Sequence, residues 1–204
     1  MSIAFDQSVT RQNLMRAFAG ESQARNRYTF AAEQADAQGL RVIGDAFRFT
    51  AGQEKEHAEV FYKLLSGLNG QNIAVDGAYP VNLDLDALSL LRAAQHNEDE
   101  EWETVYPAFA AKAREEGFSL IGDTFAGIAA IERTHSLRFG RFADAMSADE
   151  LFSSAQPVAW LCLNCGHIHF GASAPTVCPV CQHDQGFFIR ESFVPFLADP
   201  SRAR

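Results

Sequence analysis

Glu54-x-x-His57 and Glu132-x-x-His135 write one signature twice, each inside a stripe of helical period that is otherwise mostly hydrocarbon. The first stripe runs Ile43, Phe47, Thr50, Glu54, His57, Phe61; the second runs Ile121, Phe125, Ile128, Glu132, His135, Phe139. The flanks repeat as well, Gly39 and Ile43-Gly44-Asp45 answering Gly117 and Ile121-Gly122-Asp123. Residues three apart on a helix share a face, so each Glu points into the core beside its His. A carboxylate in an apolar stripe costs several kcal/mol unless a cation meets it. One such pair is weak evidence, but two at equivalent places in an internal repeat point to bound metal.

The 204 residues leave room for one ordinary domain and a small one, and 47% of them are apolar, enough for a sizeable core. No apolar run approaches the roughly 20 residues of a membrane helix, and Met1-Ser-Ile-Ala-Phe-Asp6 lacks the regions of a secretory signal. A formal charge of −9 argues against nucleic acid as a partner. The 4 cysteines fall in two Cys-x-x-Cys pairs near the C-terminus. A secreted disulfide scaffold would scatter them, so they read as metal ligands in a reducing, cytoplasmic setting.

Four helices are expected: residues 8–38, 40–65, 84–115 with Asp84 or Asp86 as cap, and a fourth from Gly117 to about Met146. Residues 66–83, with Gly, Asn and Pro80, form a long crossover. Two helix pairs joined by such a crossover match the ferritin-like variety of four-helix bundle. Residues 1–146 are assigned to that bundle, 147–157 to a linker, and 158–204 to a small metal-stapled β module with a C-terminal tail. The tail from Ile189 to Pro200 is apolar and is expected to cover the module or an intersubunit surface.

Helix one brings Glu21 to the inner stripe, and helix three brings Glu98 and Glu101. With the two Glu-x-x-His pairs this is the ligand pattern of carboxylate-bridged two-metal bundles, suited to iron or manganese. Five carboxylates around two divalent ions leave a net charge near −1, which a buried site can tolerate. Glu56 and Glu59 are assigned to the solvated face. Tyr28 and Tyr106 precede Gly39 and Gly117 by equal steps; as buried hydroxyls they need partners, and the carboxylates are the nearest candidates. The Glu98–Tyr106 spacing is one residue longer than Glu21–Tyr28. An extra residue in a helix is commonly absorbed as a π-bulge, which is predicted between Glu98 and Pro107.

Cys162-Leu-Asn-Cys165 and Cys178-Pro-Val-Cys181 supply four thiolates for a tetrahedral iron or zinc site. Zinc there would be structural, whereas iron would carry one electron. His167, His169 and His183 are assigned to loops or surface, because four cysteines already complete the shell.

With both sites in hand, the chain resembles the rubrerythrin family over nearly its whole length. The carrying residues are Glu21-Ser-Gln-Ala-Arg-Asn-Arg-Tyr28, Glu54-Lys-Glu-His57, Glu98-Asp-Glu-Glu101 with Tyr106-Pro107, Glu132-Arg-Thr-His135 and the two cysteine pairs with Gly166-His167-Ile-His169. The resemblance implies a mainly α protein: a ferritin-like di-iron bundle with a C-terminal rubredoxin-like Fe(Cys)4 domain, where zinc could substitute. It implies a peroxidase of oxidative-stress defence that reduces hydrogen peroxide to water. Glu54 and Glu132 would bridge two irons, with Glu21 and Glu98 as terminal ligands and His135 on the second iron. The first iron would take His57 when reduced and Glu101 when oxidised, which suits a neutral ligand to the ferrous state and an anionic one to the ferric. His57, Glu101, Tyr28 and Tyr106 are thus the expected catalytic residues. The resemblance also implies a homodimer in which the cysteine module of one subunit approaches the di-iron site of the other, and an external electron donor such as a rubredoxin or an NAD(P)H-dependent reductase. Asp99 and Glu100 leave open which carboxylate of helix three binds. A ferritin-like ferroxidase that handles iron is the alternative, and a zinc-holding scaffold protein a third reading.

Overall fold

The computed structural model describes residues 3–83 and 85–194. Its helices are α1 (Val9–Ala37), α2 (Arg41–Leu64), α3 (Ala87–Glu100), α4 (Tyr106–Glu115) and α5 (Ser119–Ser147). Ser8 caps α1 by accepting from the Arg11 amide, and Asp86 caps α3 by accepting from the Ser89 amide; Asp84, the other cap candidate, lies outside the described residues. A π-helical segment, Glu101–Val105, joins α3 to α4, and the Tyr106 amide donates five residues back to the Glu101 carbonyl. The bulge predicted from the one-residue excess is therefore present, and Pro107 opens α4 immediately after it.

The duplication extends to the turns. Gly39 and Gly117 hold φ of 73° and 92°, a backbone region that glycine enters without a Cβ clash. Their amides donate to the carbonyls of Asp36 and Arg114, while those of Leu40 and Phe118 donate to Ala35 and Ala113. These are matching Schellman ends, and each returns the chain antiparallel. So α1 packs on α2, and α3 with α4 packs on α5. Residues 71–83 run without helix or strand as the crossover, pinned to α1 by a 2.8 Å Arg16–Asp76 ion pair.

Two hydrophobic clusters fill the bundle. One contains Tyr28, Phe47, Leu91 and Phe139, the other Leu14, Phe61, Tyr106 and Phe125. Their aromatic triads correspond through the repeat: the Phe47–Phe139 and Phe61–Phe125 centroids are both 5.0 Å apart. Between these apolar ends lies a layer of buried acidic and imidazole side chains.

The C-terminal module is a three-stranded antiparallel sheet in the order β2-β1-β3, from β1 (Ser153–Cys162), β2 (Ile168–Ser173) and β3 (Phe188–Arg190). β1 begins inside the stretch read as linker. Its polar start carries Pro157, and the register shifts between Ser153 and Val158, which is how a strand accommodates proline. Trp160, fully buried, fills the small core with Cys162, Cys178 and Phe188. As far as Val194 the tail lies against the bundle. Ile189, Phe193 and Val194 pack on the bundle rather than over the module, because Phe142 meets the Phe193 ring edge-on and Arg141 donates to the Ser192 carbonyl. Pro195 onward lies outside the described residues. No described helix is long and apolar enough to cross a membrane.

Candidate metal centres

Glu21 on α1, Glu54 and His57 on α2, Glu98 on α3, and Glu132 and His135 on α5 meet midway along the bundle, none more than 7% exposed. Their donor atoms form two overlapping groups: Glu21, Glu54, His57 and Glu132, and then Glu54, Glu98, Glu132 and His135. Glu54 and Glu132 belong to both. His57 Nδ1 lies 2.9 Å from Glu132 and 3.1 Å from Glu54, and His135 Nδ1 lies 2.7 Å from Glu132 and 2.9 Å from Glu54. The halves thus mirror each other, as the repeat requires.

Charge crowding sets the proton affinities of the metal-free centre. Burial, then the charges of Glu132 and Glu54, hold Glu21 well above the usual carboxylate range. Burial and the Glu54 charge push Glu98 up to about 8. Burial would also raise Glu54, but His135 and His57 outweigh it and bring that carboxyl down to about 2. The imidazoles, although burial favours their neutral form, are raised by Glu132 and Glu54, His57 to about 9 and His135 to about 12.

The donor set fits a pair of metal ions better than it fits itself. Glu21 Oε2, Glu54 Oε1, Glu98 Oε2, both oxygens of Glu132 and both nitrogens of His135 are buried without a hydrogen-bond partner. Buried polar atoms are almost always paired. Here the donor atoms of each group lie within 4.8 Å of one another, as ligand atoms of a common ion do.

The outer oxygens of the end carboxylates are held by the tyrosines: Tyr28 donates to Glu98 Oε1 and Tyr106 to Glu21 Oε1. Glu98 settles which acid of helix three faces the centre. Asp99 instead accepts from Trp102 Nε1 at 3.0 Å and Ser136 Oγ at 2.6 Å, and Glu100 is exposed. Glu101 joins neither group; it stands on the π segment beside the centre, its carboxyl raised well above the usual range by burial and by the charges of Glu98, Glu132 and Glu54. Glu56 is exposed and Glu59 half-exposed, on the solvated face.

One residue near the centre is not evident from spacing alone. Arg138, one turn beyond His135, donates at 2.8 Å to Thr50 Oγ1 and stacks over Phe49. Its repeat counterpart is Val60, so this cation serves one half only. The available signal was an arginine on the ligand face of α5.

In the module, Cys162 and Cys181 sulfurs are 3.7 Å apart, as are those of Cys165 and Cys178. Metal–sulfur bonds of about 2.3 Å in a tetrahedron place sulfurs about 3.8 Å apart, so the four thiols stand where a metal needs them. All are free of disulfides. The two loops are copies: the Cys162 and Cys178 amides donate to the His167 and His183 carbonyls, and those of Gly166 and Gln182 donate back to Cys162 and Cys178. His167, His169 and His183 are half-buried and stand outside the four-cysteine group; His183 packs edge-on against Phe187.

The comparisons with known proteins agree over both parts. The family model described as Rubrerythrin matches residues 12–148, and the one described as Rubrerythrin, rubredoxin-like domain matches residues 160–189. Rubrerythrin-1 of Clostridium acetobutylicum is 42% identical over 181 residues, covering 88% of this chain and 92% of its own. Rubrerythrin of Nitratidesulfovibrio vulgaris is 41% identical, covering 89% and 93%. A solved structure of fully reduced, all-ferrous nigerythrin superposes with a TM-score of 0.61 at 29% identity, covering 93% of this chain and 88% of that one. The bundle is accordingly a carboxylate/histidine di-iron site and the module a four-cysteine iron site. Since the family's bundle and its cysteine domain both match, in order and over most of the length, the chain belongs to the rubrerythrin family, di-iron oxidoreductases linked to oxidative stress.

Proposed function

We propose that the protein is a peroxidase that reduces hydrogen peroxide to water, with electrons delivered through the four-cysteine iron. The balance is one peroxide, two electrons and two protons to two waters. When bound, the iron pair supplies both electrons at one place, which avoids release of a radical. Within this reading Glu21, Glu54, Glu98, Glu132, His57 and His135 would hold the iron pair, with Glu54 and Glu132 available to both ions. Glu101 would offer the pair a further anionic donor, as His57 would offer a neutral one. Cys162, Cys165, Cys178 and Cys181 hold the third iron.

The observation that carries the reading is the asymmetry at Glu101. Six donors are arranged as near mirror halves, and one further carboxylate, Glu101 on the π segment, stands beside them within reach of the charges of Glu98, Glu132 and Glu54. Tyr28 and Tyr106 hold the end carboxylates by their outer oxygens, which orients the inner ones. A pure iron store has no use for a one-electron module in the same chain. A ferroxidase remains the second reading, favoured only by the carboxylate-rich centre that both functions share. We further infer a homodimer in which one subunit's module serves the other's bundle, an external donor such as a rubredoxin or an NAD(P)H-dependent reductase, and a cytoplasmic setting.

The test is anaerobic reduction followed by stoichiometric peroxide, watched by visible absorbance. Reoxidation of both iron centres much faster by peroxide than by air is expected; equal rates would refute the peroxidase. Glu101→Ala should preserve the far-ultraviolet circular dichroism and the iron content of the protein while slowing turnover at least tenfold, the scale on which loss of a positioned carboxylate acts.

A further inference from the structure

The crossover does more than connect the helix pairs. Over residues 76–80 it lies across the groove between α1 and the π segment, and beneath it is a cavity of about 250 Å³. Arg16 and Arg27 line it from α1, Tyr79 from the crossover, and Asn97, Glu101 and Tyr106 from the opposite wall. Its inner wall therefore includes Glu101 and Tyr106, which adjoin the di-iron centre, while Tyr79, 43% exposed, stands at the solvent side.

Three features mark it as a built chamber. The side-chain nitrogen of Asn97 is buried on its wall without a hydrogen-bond partner, and a buried orphan donor is uncommon unless something binds it. Gly77 lets the Tyr79 ring fold back: a Cβ there would lie 2.7 Å from the phenol oxygen. Asp76, next in line, is tied to Arg16 at 2.8 Å, which holds the strap in place. Burial and the Glu101 charge also raise the Tyr79 phenol, keeping it a hydrogen-bond donor.

We propose that this cavity is the antechamber through which a small neutral hydroperoxide reaches the centre, with Asn97 as the hydrogen-bonding group that receives it and Tyr79 as the side chain that limits its size. The inference rests on the peroxidase reading for its substrate, but the chamber can be tested apart from turnover. The volume takes about eight molecules of the size of water, each about 30 Å³, so selection by size falls to the solvent side, where Tyr79 stands. Hydrogen peroxide passes; a branched alkyl hydroperoxide meets Tyr79.

The experiment uses the full iron-loaded protein and three variants, Tyr79→Ala, Asn97→Leu and the surface change Asp76→Asn. Azide association with the oxidised centre is followed by absorbance in a stopped-flow instrument. Tyr79→Ala and Asp76→Asn should speed association severalfold with the azide dissociation constant unchanged, an effect on access that a merely structural role would not produce. In parallel, the ratio of kcat/KM for tert-butyl hydroperoxide to that for hydrogen peroxide should rise about tenfold in Tyr79→Ala, the scale at which pocket sterics discriminate. Asn97→Leu should raise KM for hydrogen peroxide with kcat little changed. Azide rates equal to wild type in both strap variants would overturn the antechamber, whatever the turnover. Absence of turnover with either hydroperoxide in wild type, alongside faster azide association in the variants, would reject the peroxidase reading and leave the access route standing.

Discussion

The Tyr28 hydroxyl donates a buried hydrogen bond to Oε1 of Glu98, tying α1 to α3 across the centre of the bundle. Tyr106 repeats it toward Glu21 from the other side. Each bond fixes one oxygen of an end carboxylate and leaves the other facing inward. Tyr28→Phe keeps the ring between Phe47 and Phe139 but orphans a buried oxygen, which costs about 1–3 kcal/mol. Urea unfolding of the metal-free variant should show that loss, and Tyr106→Phe should show a similar one. A neutral result at both positions would mean that the tyrosines do not hold the carboxylates.

Metal uptake by the bundle should release protons, with affinity that climbs with pH. Without metal, Glu98 stays protonated up to about 8, His57 up to about 9 and His135 up to about 12, whereas metal takes each as the bare base. Between pH 6 and 8 each of these three groups therefore gives up a proton to metal, whereas Glu54, held near 2, gives none. The sign for folding differs by group. The two histidines, raised above their ordinary value near 6.5, stabilise the metal-free fold most fully below that value, and this contribution fades as pH passes about 9 for His57. Glu98, raised from about 4.5 to about 8, opposes folding increasingly as pH rises through that interval. Titration calorimetry of metal into apoprotein in buffers of different ionisation enthalpy would count the protons; a count of zero at pH 7 would contradict the crowding that Glu54 and Glu132 impose.

Much of this was legible because function had duplicated itself in the chain. Glu54-x-x-His57 and Glu132-x-x-His135 could be placed on one layer by period alone, and the extra residue before Tyr106 pointed to the π segment that carries Glu101. Four cysteines at knuckle spacing are similarly explicit. What escaped was chemistry made by approach rather than by period. Arg138 is unremarked in a string, and only packing of α5 against α2 brings it to Thr50. Tyr79 and Asn97 share a cavity because a crossover without helix or strand happens to lie over α1, and nothing periodic announces that. The start of β1 escaped because Ser153 to Pro157 carries neither alternation nor bulk, and the strand there is shaped by a register shift.

Arg138 should tune the centre electrostatically. It is the guanidinium that feels the buried charges of Glu54, Glu98 and Glu132, and burial lowers its own proton affinity. A fixed cation near the ions favours their lower charge, so it should raise the reduction potential of the half that holds His135. Arg138→Met keeps the stem and removes the charge. An interaction of about 1 kcal/mol corresponds to a fall on the order of 40 mV per electron, measurable by redox titration with optical detection. An unchanged potential would show that solvent in the adjoining cavity, which Arg138 lines with Phe49 and Leu163, already screens it.

Cys162→Ser should separate the two iron sites. The Cys162 sulfur is buried, 3.7 Å from that of Cys181, and a serine oxygen can neither span that distance nor supply thiolate softness. The module should lose its iron and its red colour, and with them part of its folding energy, since metal and fold are coupled in so small a core. The six clustered donors of the bundle stand on α1, α2, α3 and α5 and Glu101 on the π segment, and among the described residues none comes from the module. The variant should therefore keep close to two irons per chain by elemental analysis. It should still react once with peroxide after chemical reduction, yet fail to turn over with an electron donor. Loss of the bundle iron as well would mean that the packing of Leu161, Leu163 and Ile189 on the helices props up the centre, and the two sites would then be one cooperative unit.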